Sequence, residues 1–194
     1  MKKNKIICTI CARGGSKGLR NKNLKRVNNK PLIFHTINQA KKTGLFDKIV
    51  CTSDSNKILS TAKRYGLDLL IKRPKKYATD SSPKIKAIKH AVDFTEKHFG
   101  YNFEYIIDLD VSAPLRSVAD ITSSLKLIKN KNYPCNLISL TPSKKNPYFN
   151  MVEIDKKDKI NIVKKLKKIF TTDNQPLKSM MWMLDFIFGI EKVC

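Results

Sequence analysis

Short apolar runs alternate with amphipathic stretches along the first 140 residues of the chain. A continuous apolar run predicts a strand that is buried on both faces, as in the centre of a parallel sheet. The predicted strands are residues 6–11, 48–52, 67–71, 105–109 and 137–140. Between them, apolar side chains recur at helical spacing. This alternation predicts an α/β fold with a mostly parallel central sheet, flanking helices and a ligand at the carboxyl ends of the strands.

The pattern changes after Pro147. Residues 150–154 and 159–163 flank a short Lys-Lys-Asp segment and predict a β-hairpin. Residues 180–190 are almost wholly apolar, which indicates either a buried strand or a patch that faces a partner. No linker of low complexity divides the chain, so we expect residues 1–194 to form a single domain with a hairpin extension.

A basic, glycine-rich loop follows the first predicted strand. It reads Ala12-Arg13-Gly14-Gly15-Ser16-Lys17-Gly18-Leu19-Arg20-Asn21-Lys22-Asn23. Glycines let the backbone turn sharply and approach a ligand, and N–H and ammonium groups both bind phosphate oxygens. The loop therefore predicts a polyphosphate site, with a surface turn as the alternative. It is neither a P-loop nor a dinucleotide fingerprint, because Lys17 is followed by Gly18 and the glycines have the wrong spacing.

The chain is strongly basic, with 39 Lys and Arg against 16 Asp and Glu and a formal net charge of +23. Such a charge favours anionic ligands. Only six of the basic residues are arginine, the side chain that nucleic-acid readers use for bidentate base contacts. A basic RNA- or DNA-binding domain is therefore an alternative that rests on charge alone. No apolar run approaches the length of a membrane span.

Five cysteines are present. Cys8 and Cys11 have the spacing of a metal-binding pair, but no second pair follows and both lie in an apolar strand. Buried free thiols are therefore expected rather than a zinc site. The odd number of cysteines and the lack of a signal peptide predict a reducing, cytoplasmic location.

The start of the chain resembles the acylneuraminate cytidylyltransferases, which activate sialic-type nine-carbon or related sugar acids as CMP esters. Residues 12–18, Asn21-Lys22-Asn23-Leu24 and Lys30-Pro31-Leu32-Ile33 carry the resemblance. It implies a Rossmann-like, GT-A-like nucleotidyltransferase fold, CTP and a sugar acid as substrates, and Mg²⁺ as cofactor. A hydroxyl of the acid would attack the α-phosphate of CTP and release pyrophosphate. The resemblance also implies a homodimer, formed with help from a hairpin at residues 146–168.

The resemblance assigns the glycine-rich loop to the triphosphate. The nucleotide-binding residues that it implies there are Ala12, Arg13, Gly14, Gly15, Ser16, Lys17 and Asn23. Lys22 and Arg13 receive catalytic roles, with Lys22 the first choice for stabilising charge at the α-phosphate. The alternatives are a solvated surface charge for any one lysine and an Asx turn for Asn23.

Two polar stretches further along the chain match the base pocket of the family. Arg73-Pro74 corresponds to an arginine that contacts the pyrimidine, whose O2 atom accepts a hydrogen bond. Asp80-Ser81-Ser82 corresponds to the next polar stretch, so the resemblance places Ser81 and Ser82 in the base pocket. A helix N-cap is an equally good role for Ser82.

The stretch from Asp108 to Arg116 resembles the Gln-Pro-Thr-Ser-Pro-Leu-Arg run of many family members, with Asp110 in place of the glutamine. Alternation along a strand puts Asp108 and Asp110 on the same face. A carboxylate at the end of a strand suits Mg²⁺, which makes Asp110 the metal candidate. Asp108 lies deeper in the strand and is a candidate for pairing with a buried cation.

The resemblance covers residues 4–150 and fades afterwards. The stretch from Phe170 to Pro176 lacks the arginines that the family usually has there. No acidic pair follows Asp185, although the family carries a late acidic pair that helps bind the metal. These differences indicate a truncated or altered C-terminal part. An inactive CTP-binding relic is therefore a second alternative to the active enzyme.

Overall fold

A computed structural model describes residues 5–16, 18–130, 136–142, 151–155, 159–163 and 180–189. Its strands are β1 (Ile6–Cys11), β2 (Arg26–Val27), β3 (Lys30–Pro31), β4 (Lys48–Ser53), β5 (Leu69–Lys72), β6 (Tyr105–Asp108), β7 (Asn136–Pro142), β8 (Val152–Ile154), β9 (Ile160–Ile162) and β10 (Met180–Gly189). Its α-helices are α1 (Leu32–Thr43), α2 (Asn56–Arg64), α3 (Lys84–Phe99) and α4 (Val118–Lys129). Short 3₁₀ turns occupy Lys22–Leu24 and Lys75–Tyr77.

Six of these strands form one sheet in the order β5-β4-β1-β6-β10-β7. β1 lies between β4 and β6 and is parallel to both, and β4 is parallel to β5. β10 runs antiparallel to β6, with Phe186 opposite Asp108 and Gly189 opposite Tyr105. The predicted α/β fold with a mostly parallel sheet is confirmed. The apolar run near the end of the chain forms strand β10.

β1 is continuously apolar because helices cover both of its faces. Ile6, Cys8 and Ile10 belong to a core cluster that also contains buried side chains of α1, α2 and α4. Ile7 belongs to a second cluster, formed with buried side chains of α3 and neighbouring strands. A strand buried on both sides is held firmly in place. Its carboxyl end therefore presents the glycine-rich loop at a fixed position on the edge of the sheet.

The contacts divide the chain into two compact units. Met1–Ile138 and Leu184–Cys194 form the first unit, and Ser139–Met183 form the second. The second contains β8 and β9, which pair antiparallel with Val152 opposite Ile162. The predicted hairpin is thus present. Its predicted role in dimerisation and the expectation of a single domain stay predictions.

The described cysteines agree with the prediction of free thiols. Cys8 and Cys51 are buried, Cys11 is half-buried, and none of the three is in a disulfide bond. Within the described ranges, no group of three or more His, Cys, Asp or Glu side chains could hold a metal ion. In the same part of the chain, no helix combines the length and the apolar character needed to cross a bilayer.

Cys51 is expected to resist thiol reagents while the protein is folded. Burial raises the pKa of its thiol to about 12, although Arg73 opposes this rise. At about pH 8 only about one Cys51 in ten thousand would then be a reactive thiolate. Because the folded protein keeps a proton that the unfolded chain releases, the free energy of unfolding falls as the pH rises from the ordinary thiol pKa towards 12. Alkylation followed by mass spectrometry checks this, and rapid labelling of Cys51 in native protein would contradict it.

Candidate functional site

A cavity of about 810 Å³ opens at the carboxyl edge of the parallel strands. Its walls come from the loop after β1, the segment between β5 and α3, the start of α3 and the turn after β6. The predicted site residues that line it are Arg13, Ser16, Lys22, Asn23, Arg73, Ser82 and Asp110. Ala12, Gly14, Gly15 and Ser81 are not among the lining residues, and Lys17 lies outside the described residues. The structure thus brings together residues that are far apart in the sequence.

The first residues of the glycine-rich loop are fastened to the end of β4. The Ala12 N–H donates to the Thr52 carbonyl oxygen at 3.1 Å, and the Gly14 N–H donates to Asp54 Oδ1 at 2.8 Å. A Cβ atom at Gly14 would lie 3.0 Å from Ser55 Cβ, which is tighter than ordinary packing. Gly14 therefore permits a close approach of two backbones. In this structure it positions the loop against β4.

Asn23 connects the two ends of the loop. Its side chain is buried, and Nδ2 donates to the Arg13 carbonyl oxygen at 2.9 Å. This contact spans ten residues and so differs from the local hydrogen bond of an Asx turn. Asn21 adopts the left-handed conformation with φ 56° and precedes the 3₁₀ turn that carries both Lys22 and Asn23. The loop is thus closed by a buried side chain, which fixes the positions of Arg13 and Lys22.

Lys22 is linked to the turn after β6. Its Nζ donates to Ser112 Oγ at 3.0 Å, and the Ser112 N–H donates to Asp110 Oδ1 at 2.6 Å. Lys22, Ser112 and Asp110 all line the cavity. An ammonium group and a carboxylate are therefore held by one serine on the same wall. The sequence analysis did not single out Ser112, although it lies within the stretch that carried the second resemblance.

A buried ion pair forms the floor beneath Asp110. Lys84 Nζ lies 2.6 Å from Asp108 Oδ2 and 2.9 Å from Asp110 Oδ2. Asp108 is fully buried, and its Oδ1 accepts a hydrogen bond from Thr9 Oγ1 at 2.7 Å. The expected pairing of Asp108 with a buried cation is confirmed. Nothing in the pattern distinguished Lys84 from the many other lysines, so the sequence analysis missed it.

The charges of this cluster stabilise one another. Burial lowers the pKa of Lys84, but Asp108 and Asp110 outweigh burial and raise that pKa above its ordinary value. Burial raises the pKa of Asp110, but Lys84 and hydrogen bonds from Ser112 outweigh burial and lower that pKa below its ordinary value. At neutral pH the cavity floor therefore carries a charged ammonium group and an ionised carboxylate.

Arg73 and Ser82 form another wall of the cavity. Arg73 is buried, and one of its terminal nitrogens donates to the Thr52 carbonyl oxygen at 2.8 Å. Thr52 thus accepts from both Ala12 and Arg73. Ser82 Oγ is buried with no hydrogen-bond partner among the described residues. A buried polar atom without a partner on a cavity wall is a place where a ligand can complete the hydrogen bonding.

Pro83, not Ser82, is the N-cap residue of α3, so the N-cap interpretation of Ser82 is wrong.

Arg13 and Asp80 join the glycine-rich loop to the segment before α3. Arg13 Nη1 lies 2.5 Å from Asp80 Oδ1, and both side chains are about one-third to two-fifths exposed. Both residues line the cavity. An anion in the cavity would compete with this carboxylate for the guanidinium group, since phosphate and carboxylate bind arginine in the same way.

A buried arginine supports the backbone of the turn that carries Asp110. Arg116 donates to the Asp110 carbonyl oxygen at 2.7 Å, and Gln39 of α1 donates to the Pro114 carbonyl oxygen at 2.8 Å. These bonds satisfy carbonyl groups that the irregular turn leaves without sheet partners. The position of Asp110 is therefore set by the surrounding fold as well as by its side-chain contacts.

The chain is similar to known proteins of one family. The sequence model of a family described as "Cytidylyltransferase" matches residues 7–182. The chain is 43% identical over 152 residues to "Post-translational flagellin modification protein B" of Campylobacter coli, covering 78% of this chain and 64% of that protein. It is 43% identical over 167 residues to "CMP-N,N'-diacetyllegionaminic acid synthase" of Campylobacter jejuni, covering 86% and 69%. It is 37% identical over 144 residues to "N-acylneuraminate cytidylyltransferase" of Escherichia coli, covering 74% and 33%.

A solved structure shares the fold. CMP:2-keto-3-deoxy-manno-octonic acid synthetase, complexed with CTP, superposes with a TM-score of 0.68 at 14% sequence identity, covering 96% of this chain and 74% of that chain. At this identity the likeness concerns the fold alone. The match spans 64% of the length of the Campylobacter coli protein and one third of the length of the Escherichia coli protein.

Proposed function

The chain belongs to the cytidylyltransferase family, and from that premise we propose that it transfers CMP from CTP to a sialic-acid-like ulosonic acid and releases pyrophosphate. The observation that carries the proposal is the convergence of Arg13, Lys22, Arg73 and Asp110 on one cavity at the edge of the sheet. Relatives named as synthases of CMP-diacetyllegionaminic acid and as acylneuraminate cytidylyltransferases support a sugar acid as the acceptor.

The proposed reaction is a substitution at the α-phosphorus of CTP. A hydroxyl oxygen of the acid forms a bond to phosphorus, the bond to the bridging oxygen breaks, and pyrophosphate leaves while the hydroxyl proton is released. Negative charge is distributed over the phosphoryl oxygens, and cations held in position stabilise it. Lys22 and Arg13 supply this charge, with Lys22 at the α-phosphate. Both are already placed on the cavity wall by Ser112 and by Asp80.

The two ends of CTP are assigned to different walls. The triphosphate lies along the glycine-rich loop, with Ser16 and Lys17 as further contacts. The cytosine lies at Arg73 and Ser82, where the hydroxyl of Ser82 lacks a partner among the described residues and the base offers hydrogen-bonding groups. Ser81, which is exposed, completes the polar segment.

Mg²⁺ is the proposed cofactor, with Asp110 as its protein ligand. The donor set fits, because Mg²⁺ is usually held by one or two carboxylates together with substrate phosphates and waters. Asp110 brings an ionised carboxylate to a cavity that is also lined by Arg13, Lys22 and Arg73. When bound, the ion would neutralise phosphate charge and orient the α-phosphoryl group.

A homodimer is the proposed assembly, with the β8–β9 hairpin of the second unit as its contact surface. Val152, Ile154 and Ile160 are 55%, 68% and 70% exposed, so the hairpin presents apolar side chains to solvent. Such side chains on one short hairpin support an interface.

Free cysteines and the use of CTP support the cytoplasm as the location.

The test is pyrophosphate release from CTP and from ATP, with a panel of sialic-, legionaminic- and pseudaminic-type acids and Mg²⁺. We expect release only when CTP, a suitable acid and Mg²⁺ are all present. Folded protein that binds CTP in calorimetry but releases no pyrophosphate with any acid would instead identify an inactive relic. Tight nucleic-acid binding with a steep salt dependence, unchanged by Arg13→Ala or Lys22→Ala, would favour the nucleic-acid alternative.

A further inference from the structure

We infer that Lys84 is a positioning residue of the nucleotide site, which holds the carboxylate of Asp110 in place to receive the metal ion that accompanies CTP. This inference deepens the proposed function and rests on it. It concerns a residue that belongs to none of the stretches that resemble the family and that acts through Asp110.

Lys84 is anchored from the protein interior. Its side chain is 25% exposed, and its ammonium group contacts Asp108, whose side chain is fully buried. Thr9 in the central strand fixes the other oxygen of Asp108 with a hydrogen bond of 2.7 Å. The ammonium group is therefore tied to the most buried part of the sheet, and this anchor does not depend on a ligand.

The same ammonium group reaches the cavity through Asp110. Lys84 Nζ contacts Asp110 Oδ2 at 2.9 Å, and the Ser112 N–H contacts Asp110 Oδ1 at 2.6 Å. Two contacts on opposite oxygens restrict rotation of the carboxylate. These contacts orient the group, and a carboxylate oxygen can bind a metal ion while it also accepts hydrogen bonds. Metal-binding carboxylates are commonly oriented by such outer partners.

Lys84 also offsets the negative charge of the two carboxylates, Asp108 and Asp110. Two carboxylates close together at the end of β6 would repel each other and an incoming triphosphate. With Lys84 between them, the three groups carry one net negative charge. This charge suffices to attract a divalent cation, while the surrounding basic residues retain their attraction for the triphosphate.

The competing explanation is that Lys84 only neutralises the buried charge of Asp108. The double variant Lys84→Met/Asp108→Asn separates the two roles. It removes the ammonium group together with the buried charge that needs it, and the amide oxygen can still accept from Thr9. The protein's net charge does not change, so any loss of nucleotide affinity cannot come from altered long-range attraction. Lys86→Met/Asp93→Asn is the matched control, because it makes the same exchange at exposed positions of α3.

The measurement is the Kd of CTP by calorimetry, once with Mg²⁺ and once with EDTA. For the wild type we expect tighter binding with Mg²⁺. In the Lys84→Met/Asp108→Asn variant, we expect the affinity in Mg²⁺ to fall by about 10–100-fold, as for the loss of other outer partners of metal ligands. The affinity in EDTA and both affinities of the control variant should stay close to the wild type.

Each contrary result overturns a distinct statement. A double variant with the same ratio of the two Kd values as the wild type would show that Lys84 only neutralises Asp108. A wild type that binds CTP equally with and without Mg²⁺ would also overturn the inference, but not the proposed function. A wild type that does not bind CTP at all would overturn the proposed function itself.

A second variant, Lys84→Arg, keeps the inference testable if the double variant does not fold. Lys84→Arg keeps a positive charge beside Asp108, so the buried carboxylate stays compensated. The planar guanidinium group differs in shape from an ammonium group and cannot reproduce the same pair of contacts. We expect a smaller loss in the same direction, confined to the Mg²⁺ condition. Unchanged Mg²⁺ dependence in a folded Lys84→Arg protein would contradict the inference.

Discussion

Replacement of Lys84 by methionine is expected to lower the free energy of unfolding by about 3–5 kcal/mol, because removing one partner of a buried ion pair leaves an uncompensated charge. Asp108 is fully buried, and its Oδ2 atom has the Lys84 ammonium group 2.6 Å away. Methionine fills a similar volume but cannot compensate the carboxylate. Urea unfolding without nucleotide measures the difference, so the result does not depend on any enzymatic activity.

Two further variants make this prediction specific. Lys86→Met removes the same charge from an exposed position of α3 and should change the free energy of unfolding by no more than about 0.5 kcal/mol. Lys84→Met/Asp108→Asn should recover most of the stability lost by the single variant, since the buried charge is then absent. A double variant as unstable as Lys84→Met would show that the loss comes from packing and not from charge.

The second large effect is expected at Lys22. Lys22→Ala should lower kcat for pyrophosphate release by about 10²–10³-fold, the usual cost of removing one preorganised group that stabilises transition-state charge. The reason is that its ammonium group, held by Ser112 on the cavity wall, is assigned to the α-phosphate where negative charge is redistributed. The lysine side chain is half-exposed, so little stability should be lost.

Steady-state kinetics with CTP and the best acid of the panel measure this effect. Lys25→Ala is the control, because Lys25 is an exposed lysine of the same segment and does not line the cavity. If Lys22→Ala instead raised KM for CTP and left kcat unchanged, Lys22 would bind the ground state and the transition state equally. Its catalytic assignment would then be wrong.

Local patterns predicted the parallel strands, because each is a short, mostly apolar run. The interpretation of residues 180–190 stayed open, since an apolar run has the same appearance in a strand and in an exposed patch. The pairing of β10 with β6, across some 80 residues of sequence, shows that this run forms a strand. Strand ends also shifted by one or two residues, as at β5 (Leu69–Lys72), where hydrogen bonding to β4 decides the boundary.

The candidate site was partly visible in the sequence for a similar reason. The glycine-rich loop and the stretch that contains Asp110 are compact local motifs. Both could therefore be recognised from the sequence. Lys84 is one of 39 basic residues and gains its significance from the position of α3 over the end of β6. The tight packing of Gly14 against Ser55 likewise depends on a contact between two loops. No local pattern contains such information.

The carbonyl oxygen of Thr52 accepts hydrogen bonds from both Ala12 and Arg73, so one peptide group anchors the proposed phosphate end and the proposed base end of the cavity. The distance between those ends is therefore a property of a buried strand, and neither loop can change it alone. Preference for a nucleotide of one length should then persist in variants whose affinity has fallen, and a new nucleobase would have to be accommodated by exchanging side chains rather than by moving the backbone.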